Sequence, residues 1–317
     1  MEDAPRRGPG WRRAAGLLAI SLVLSVSSVS ALVAIPLVAL AVMLGARRLG
    51  ALAATAMAVA VAFGGVQRDS VWYLERGWAL LLGGWFVALT LGWPSARFFP
   101  RALVAVVGTF AMVGLFFGAQ LGDWAQVDWL VSRRITESVT MALDVVRALQ
   151  GPESQLSGAL VATVYQTAEQ QGRAFPALLG LSSLSALGVA WWCYVRLAWG
   201  SDRGVGPLRE FRFNDQLVWL FIAGLIMLVL GLGEGAERAG SNTVVFMGGL
   251  YALRGAAVVA FFNGGVSFFG MLLLVMAVIF LGPLLLMGTL LIGLGDTWLD
   301  FRSRVEALVG NNEGRGG

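Results

Sequence analysis

From Ser267 to Gly295 the chain reads SFFGMLLLVMAVIFLGPLLLMGTLLIGLG, 29 residues without a charge. A helix needs about 20 apolar residues to cross a ~30 Å hydrocarbon core, so this stretch is more than one crossing long. Gly282-Pro283 interrupts it. Proline removes a backbone donor and kinks a helix, and membrane helices tolerate this where neighbours satisfy the freed carbonyl. The run is therefore one long kinked helix or two short ones.

The same pattern recurs along the chain. Ala14–Ala46 is uncharged, and the serines at 25, 27, 28 and 30 followed by Pro36 predict two short helices with a turn near residues 28–31. Further apolar runs are Leu49–Val66, Gly77–Trp93, Ala102–Leu121, Ala174–Val195, Leu217–Leu232 and Thr243–Phe262. Small residues at 29–31 resemble a signal cleavage site, but the apolar run continues to Ala46, so the segment is expected to stay.

Only 13% of the 317 residues are charged, 57% are hydrophobic, and mean hydropathy is +0.75. A soluble domain carries about 25% charge, so there is too little polar surface here to cover the apolar mass. The fold class is all-α: a polytopic transmembrane bundle of about 9–10 membrane segments with an amphipathic helical insert. The expected division is a basic arm (1–13), N-terminal membrane helices (14–121), the insert (122–173), C-terminal membrane helices (174–295) and a cytoplasmic tail (296–317).

With the N-terminus in the cytoplasm, the segments on that side carry about twice as many arginines as those opposite. They hold Arg6, Arg7, Arg47, Arg48, Arg97, Arg101, Arg196, Arg209, Arg212 and Arg302 among others, whereas Arg68, Arg76, Arg133, Arg134 and Arg173 fall on the far side. Ten crossings would return the tail to the cytoplasm. Trp72, Trp78, Trp93, Trp124, Trp199 and Trp298 fall near helix ends, where indole rings anchor at headgroups.

Missing residues exclude much chemistry. There is no histidine, one cysteine (Cys193), and every basic residue is arginine. Ser-His-Asp and Cys-His catalysis, a Schiff-base lysine and a Walker A lysine are therefore impossible within this chain. No enzyme activity, cofactor or metal is expected. Nucleic acid is not an expected partner, because the arginines are spread over short loops.

The insert holds six acids, at 123, 128, 137, 144, 153 and 169. Val127, Val131, Ile135, Ala142, Val146 and Leu149 predict one amphipathic helix ended by Gly151-Pro152, and Leu156, Leu160, Val164 and Ala168 a second ended by Gly172. Such a hairpin could cap the bundle, lie on the lipid surface, or dock a membrane protein partner. Residues 123–172 and the arginine-rich loop 196–212 are the candidate docking surfaces.

The apolar segments contain no Asp or Glu, and the one ionised residue at depth is Arg254, about 17 Å along a helix counted from Thr243. A central arginine costs about 2.5–3.5 kcal/mol on insertion scales, so something must offset it. With no embedded acid expected, the candidates are backbone carbonyls, Tyr251, water or a small anionic ligand. The candidate ligand-binding residues are Arg254, Tyr251 and Asn242. Alternatively, Arg254 snorkels to an interface, and Asn242 and Asn263 bracket the helix as end residues.

Three regions together resemble a known family: the proline-containing run 35–40 leading to Arg47-Arg48, the block from Asn242 through Leu253-Arg254-Gly255, and the closing Gly295-Asp296-Thr297-Trp298-Leu299-Asp300-Phe301-Arg302. The chain is similar to the YybS-like family of bacterial integral membrane proteins, a domain of unknown function, over about residues 14–304. The resemblance implies a bacterial cytoplasmic membrane location. It also implies a distant likeness to the S components of energy-coupling-factor transporters, which bind a small molecule and borrow an ATPase from separate chains. The expected function is small-molecule binding or transport without an ATPase of its own; the alternative is a scaffold or partner subunit of an envelope complex.

Overall fold

The computed structural model describes residues 28–45, 70–119, 123–150, 157–198, 208–262 and 268–305. Among these residues the regular structure is helical throughout. The chain forms two compact units, Met1–Val205 and Gly206–Gly317.

The first unit contains α1 (Ser28–Gly45), α2 (Ser70–Gly92), α3 (Phe98–Ala119), α4 (Asp123–Gln150), α5 (Gly158–Arg173) and α6 (Phe175–Ala198). Residues 28–31, where the sequence suggests a turn, already belong to α1, and Pro36 lies inside that helix. Ala31, Ala34, Leu37, Val38 and Leu40 are buried. Close packing has a local cause: a β-carbon on Gly83 would sit 3.3 Å from Pro36 Cα, so the glycine lets α2 approach α1. Gly108 likewise lies under the Trp85 ring, whereas Gly84 and Gly114 face open space. The stretch Leu49–Val66 lies outside the described residues.

The second unit contains α7 (Val218–Val229), α8 (Glu234–Phe262) and α9 (Phe268–Leu299), preceded by 3-10 turns at Leu208–Glu210 and Asp215–Leu217. Gly231 (φ 57°) and Gly233 (φ 99°) adopt left-handed backbone between α7 and α8, a conformation open to glycine at little cost. The two helices then cross at Gly224 and Gly240, where an added β-carbon on Gly240 would lie 2.8 Å from the Gly224 carbonyl oxygen. The α8–α9 crossing is tighter still. A β-carbon on Gly255 would fall on the Thr289 carbonyl, and one on Gly293 on the Tyr251 carbonyl. Only glycine allows backbones to meet this closely.

Five helical stretches among the described residues are long and apolar enough to cross a membrane: Trp72–Gly92, Phe98–Phe117, Phe175–Arg196, Glu234–Phe262 and Leu281–Leu299. The described part of the last uncharged run is two helical segments joined at a kink. Leu281 leaves helical geometry (φ −122°, ψ 18°) two residues before Pro283, whose ring and missing donor disrupt the preceding turn. The run Leu217–Leu232 yields α7, only 12 residues long.

Several helix ends differ from expectation because charges lie inside helices. Glu75 and Arg76 belong to α2, Arg101 to α3 and Arg196 to α6; Glu234, Glu237 and Arg238 form the first turns of α8. Arg76 and Arg101 are therefore not loop residues, and both are buried. Trp72 and Trp78, both near the start of α2, pack against protein, at 8% exposure each. Trp78 Nε1 donates to Ser183 Oγ at 2.9 Å.

The insert is a helical pair. Ser157 caps α5 by accepting from the Leu160 amide at 3.2 Å, satisfying one orphan donor of the first turn. Arg133–Glu137, Arg147–Asp144 and Arg173–Glu169 are exposed ion pairs within single helices. The inward seam of α4 differs from the predicted one. Val131 and Ile135 turn inward, but the seam continues through Val139 to buried Leu143, while Ala142, Val146 and Leu149 are exposed.

Candidate functional site

Arg254 stands on the second half of α8, and its side chain is 3% exposed. Every guanidinium nitrogen has a protein acceptor. Nε donates to Asp296 Oδ2 at 2.9 Å, Nη2 to the Asp296 carbonyl at 3.3 Å, and Nη1 to Asp215 Oδ1 at 2.5 Å. The guanidinium carbon lies 5.4 Å from the Phe213 ring centre, within cation–π range.

The expectation that no embedded acid partners Arg254 is therefore corrected. Asp296, one residue beyond the uncharged run, belongs to the last turn of α9, and its side chain is wholly buried. Asp215 comes from the 3-10 turn ahead of α7 and is exposed. Arg254 is also not alone in being buried and ionised: Asp296 and Arg302 share its environment, and Arg76 and Arg101 are buried in the first unit.

Arg302 completes the cluster. Its Nη2 donates to Asp296 Oδ2 at 2.8 Å, and its Nη1 donates to the carbonyls of Arg209 and Phe211, both at 3.1 Å. Residues six apart cannot share a face of one helix. The chain solves this at Asp300, which adopts left-handed backbone (φ 42°) just after α9 and swings Arg302 back toward Asp296. Asp300 pairs with Arg212 at 2.5 Å. The Ser303 hydrogen bond and the Arg212 charge hold the Asp300 carboxyl below its ordinary pKa, outweighing slight burial.

The buried Arg254, Arg302 and Asp296 together with the exposed Asp215 are two cations and two anions. The arrangement fastens the segment 209–215, α8 and the end of α9 to one another. Its unmatched polar atoms are Asp296 Oδ1 and Arg302 Nε, both buried without a hydrogen-bond partner.

Of the other two candidates, Tyr251 adjoins the cluster, within electrostatic reach of Arg254 and Asp215 and facing the same Phe213 ring as Arg254, and its buried hydroxyl has no hydrogen-bond partner, whereas Asn242 stands apart. Tyr251 is fully buried, with its ring edge-on to Phe213 at 5.1 Å and to Phe221 at 5.9 Å. Asn242 does not bracket the helix; it lies within α8, where its Nδ2 donates to the Arg238 carbonyl at 2.9 Å. Asn263 lies outside the described residues. A hollow on this unit is lined by Val258, Val259, Phe262, Ile292 and Phe301, all apolar. Among the described residues no group of three metal-ligating side chains comes together.

A family model described as a predicted membrane protein, DUF2232, matches residues 14–297. The chain belongs to this family. The DUF2232 match takes in Asp215, Arg254 and Asp296 and stops short of Asp300 and Arg302. The family's function is unknown, and its description agrees with the membrane helices found here. No curated protein and no solved structure gives a significant match.

Proposed function

We propose that this DUF2232 protein is a non-catalytic partner subunit, a membrane-embedded scaffold of a larger envelope complex in the bacterial cytoplasmic membrane, with its N-terminus in the cytoplasm. One observation carries the reading: the guanidinium of Arg254 is committed to Asp296 and Asp215, in a cluster whose charges cancel. A cation already matched by protein carboxylates has no surplus field to draw an anionic ligand. A second support comes from the insert, whose α4 helix exposes Met141, Val145 and Leu149 at successive four-residue spacing. The test is gentle detergent extraction followed by size exclusion and mass spectrometry. A stoichiometric membrane partner, lost on deleting residues 123–172, is the expected result. A protein that elutes alone, and that small anions stabilise through Arg254, contradicts it.

A second reading, small-molecule binding or transport with an ATPase borrowed from other chains, draws on Asp296 Oδ1. A buried carboxylate oxygen without a partner suits a hydrogen-bond donor such as a ligand hydroxyl or ammonium group. Stabilisation by such a compound, lost in Asp296→Asn, distinguishes it from the scaffold reading.

A further inference from the structure

Arg76 is 7% exposed, and neither its Nε nor its Nη1 has a hydrogen-bond partner. The Trp72 ring centre lies 5.3 Å from its guanidinium carbon. The other buried arginines differ. Arg254 and Arg302 share Asp296, and Arg101 reaches the Arg97 carbonyl at 3.4 Å while lying over Trp191. Among the described residues Arg76 alone leaves two guanidinium nitrogens buried and unmatched. Among the described residues no carboxylate pairs with it, and a buried cation without a counter-charge is costly, so an anion has a strong reason to sit there.

Position says which anion. Arg76 is the seventh residue of α2, which begins at Ser70. It lies about 9 Å along a helix about 35 Å long. The helix exceeds the ~30 Å hydrocarbon core by about 5 Å, so the Arg76 backbone is only a few ångströms below the headgroup layer. Helical side chains lean toward the N-terminus. The contact with Trp72, one turn earlier, shows the guanidinium directed that way, toward the interface. Tyr73, 53% exposed, stands at the same level, as interfacial aromatics do. The planar guanidinium fork matches a phosphate oxyanion, and phosphate is the anion concentrated at this depth.

We propose that Arg76, backed by Trp72, is a binding site for a phosphate group at the α2 end of the first unit, supplied by a phospholipid headgroup or by free phosphate. The site is independent of the Arg254 cluster and of the scaffold reading.

The test measures the unfolding midpoint of the full-length protein in detergent with added phosphatidylglycerol, a phosphate-free galactolipid, or millimolar inorganic phosphate. It compares wild type, Arg76→Gln and the exposed control Arg133→Gln. Phosphatidylglycerol should raise the midpoint of wild type and the control by about 3 °C or more, the galactolipid should not, and Arg76→Gln should lose the rise. The same loss seen with inorganic phosphate supports the site and makes the source soluble. An equal response in wild type and Arg76→Gln, or no response to either phosphate probe, overturns the proposal. So does an acidic protein subunit that binds only through Arg76 while neither probe acts. Should Arg76→Gln fail to fold, native mass spectrometry of wild type and Arg76→Lys decides. A phosphate-bearing adduct that weakens in Arg76→Lys supports the site, because lysine lacks the fork; an unchanged adduct, or none in wild type, overturns it.

Discussion

Arg254 and Asp296 stand 42 residues apart in sequence and are joined twice, Nε to the carboxylate at 2.9 Å and Nη2 to the backbone carbonyl at 3.3 Å. The pair fixes the second half of α8 to the last turn of α9, next to the crossing at Gly255 and Gly293. Asp296 is the hub, because one of its oxygens accepts from two arginines.

Removing the hub should therefore hurt most. Asp296→Ala leaves Arg254 and Arg302 without their shared carboxylate, and stranding a buried charge costs about 3–5 kcal/mol. Asp215→Ala removes an exposed partner and should cost about 1 kcal/mol or less. Chemical denaturation in detergent micelles, monitored by tryptophan fluorescence, should show this order. Equal costs would contradict the hub.

Gly255→Ala and Gly293→Ala should each abolish the folded protein, because the new β-carbon meets the backbone of the facing helix. Gly84→Ala, facing open space, should leave the fluorescence-detected size-exclusion profile unchanged. A normal profile for Gly255→Ala would mean that α8 and α9 do not cross there.

Asp300 predicts a modest acid sensitivity. Its folded pKa is depressed, so its contribution to stability is complete above the ordinary carboxyl range near 4 and is lost as pH falls through the lower folded value. Because Asp300 is half-exposed, solvent screens much of the effect. Asp300→Asn, which tolerates left-handed backbone, should flatten part of the decline in unfolding midpoint between about pH 5 and about pH 2.5. An identical decline in both proteins would contradict the assignment.

Much of the fold was legible because hydropathy is a bulk property, and long uncharged runs become helices whatever their partners. The proline at 283 also announced its kink. What the runs hid were charges inside helices. Scanning for uncharged stretches cuts at Arg76, Arg101, Glu234 and Asp296, yet all four are helical, and three of them are buried. Asp296 was missed by one residue: it follows Gly295 directly, and an acid at the edge of a run is the place to seek a partner for a lone arginine. Asp215 and Arg302 carried no local signal, since the first is brought in by a 3-10 turn and the second by left-handed backbone at Asp300. Asn242 looked terminal only because the run was counted from Thr243, nine residues into α8.

A double-mutant cycle on Arg254 and Asp296 tests most directly whether Arg254 is bound to the protein's own acid. Stabilities of wild type, Arg254→Met, Asp296→Leu and the double variant should give a coupling of about 0.5–3 kcal/mol, with the double variant less destabilised than the sum of the singles. Strict additivity, with Arg254→Met alone harmless, would mean that Arg254 is free of Asp296 and open to a ligand.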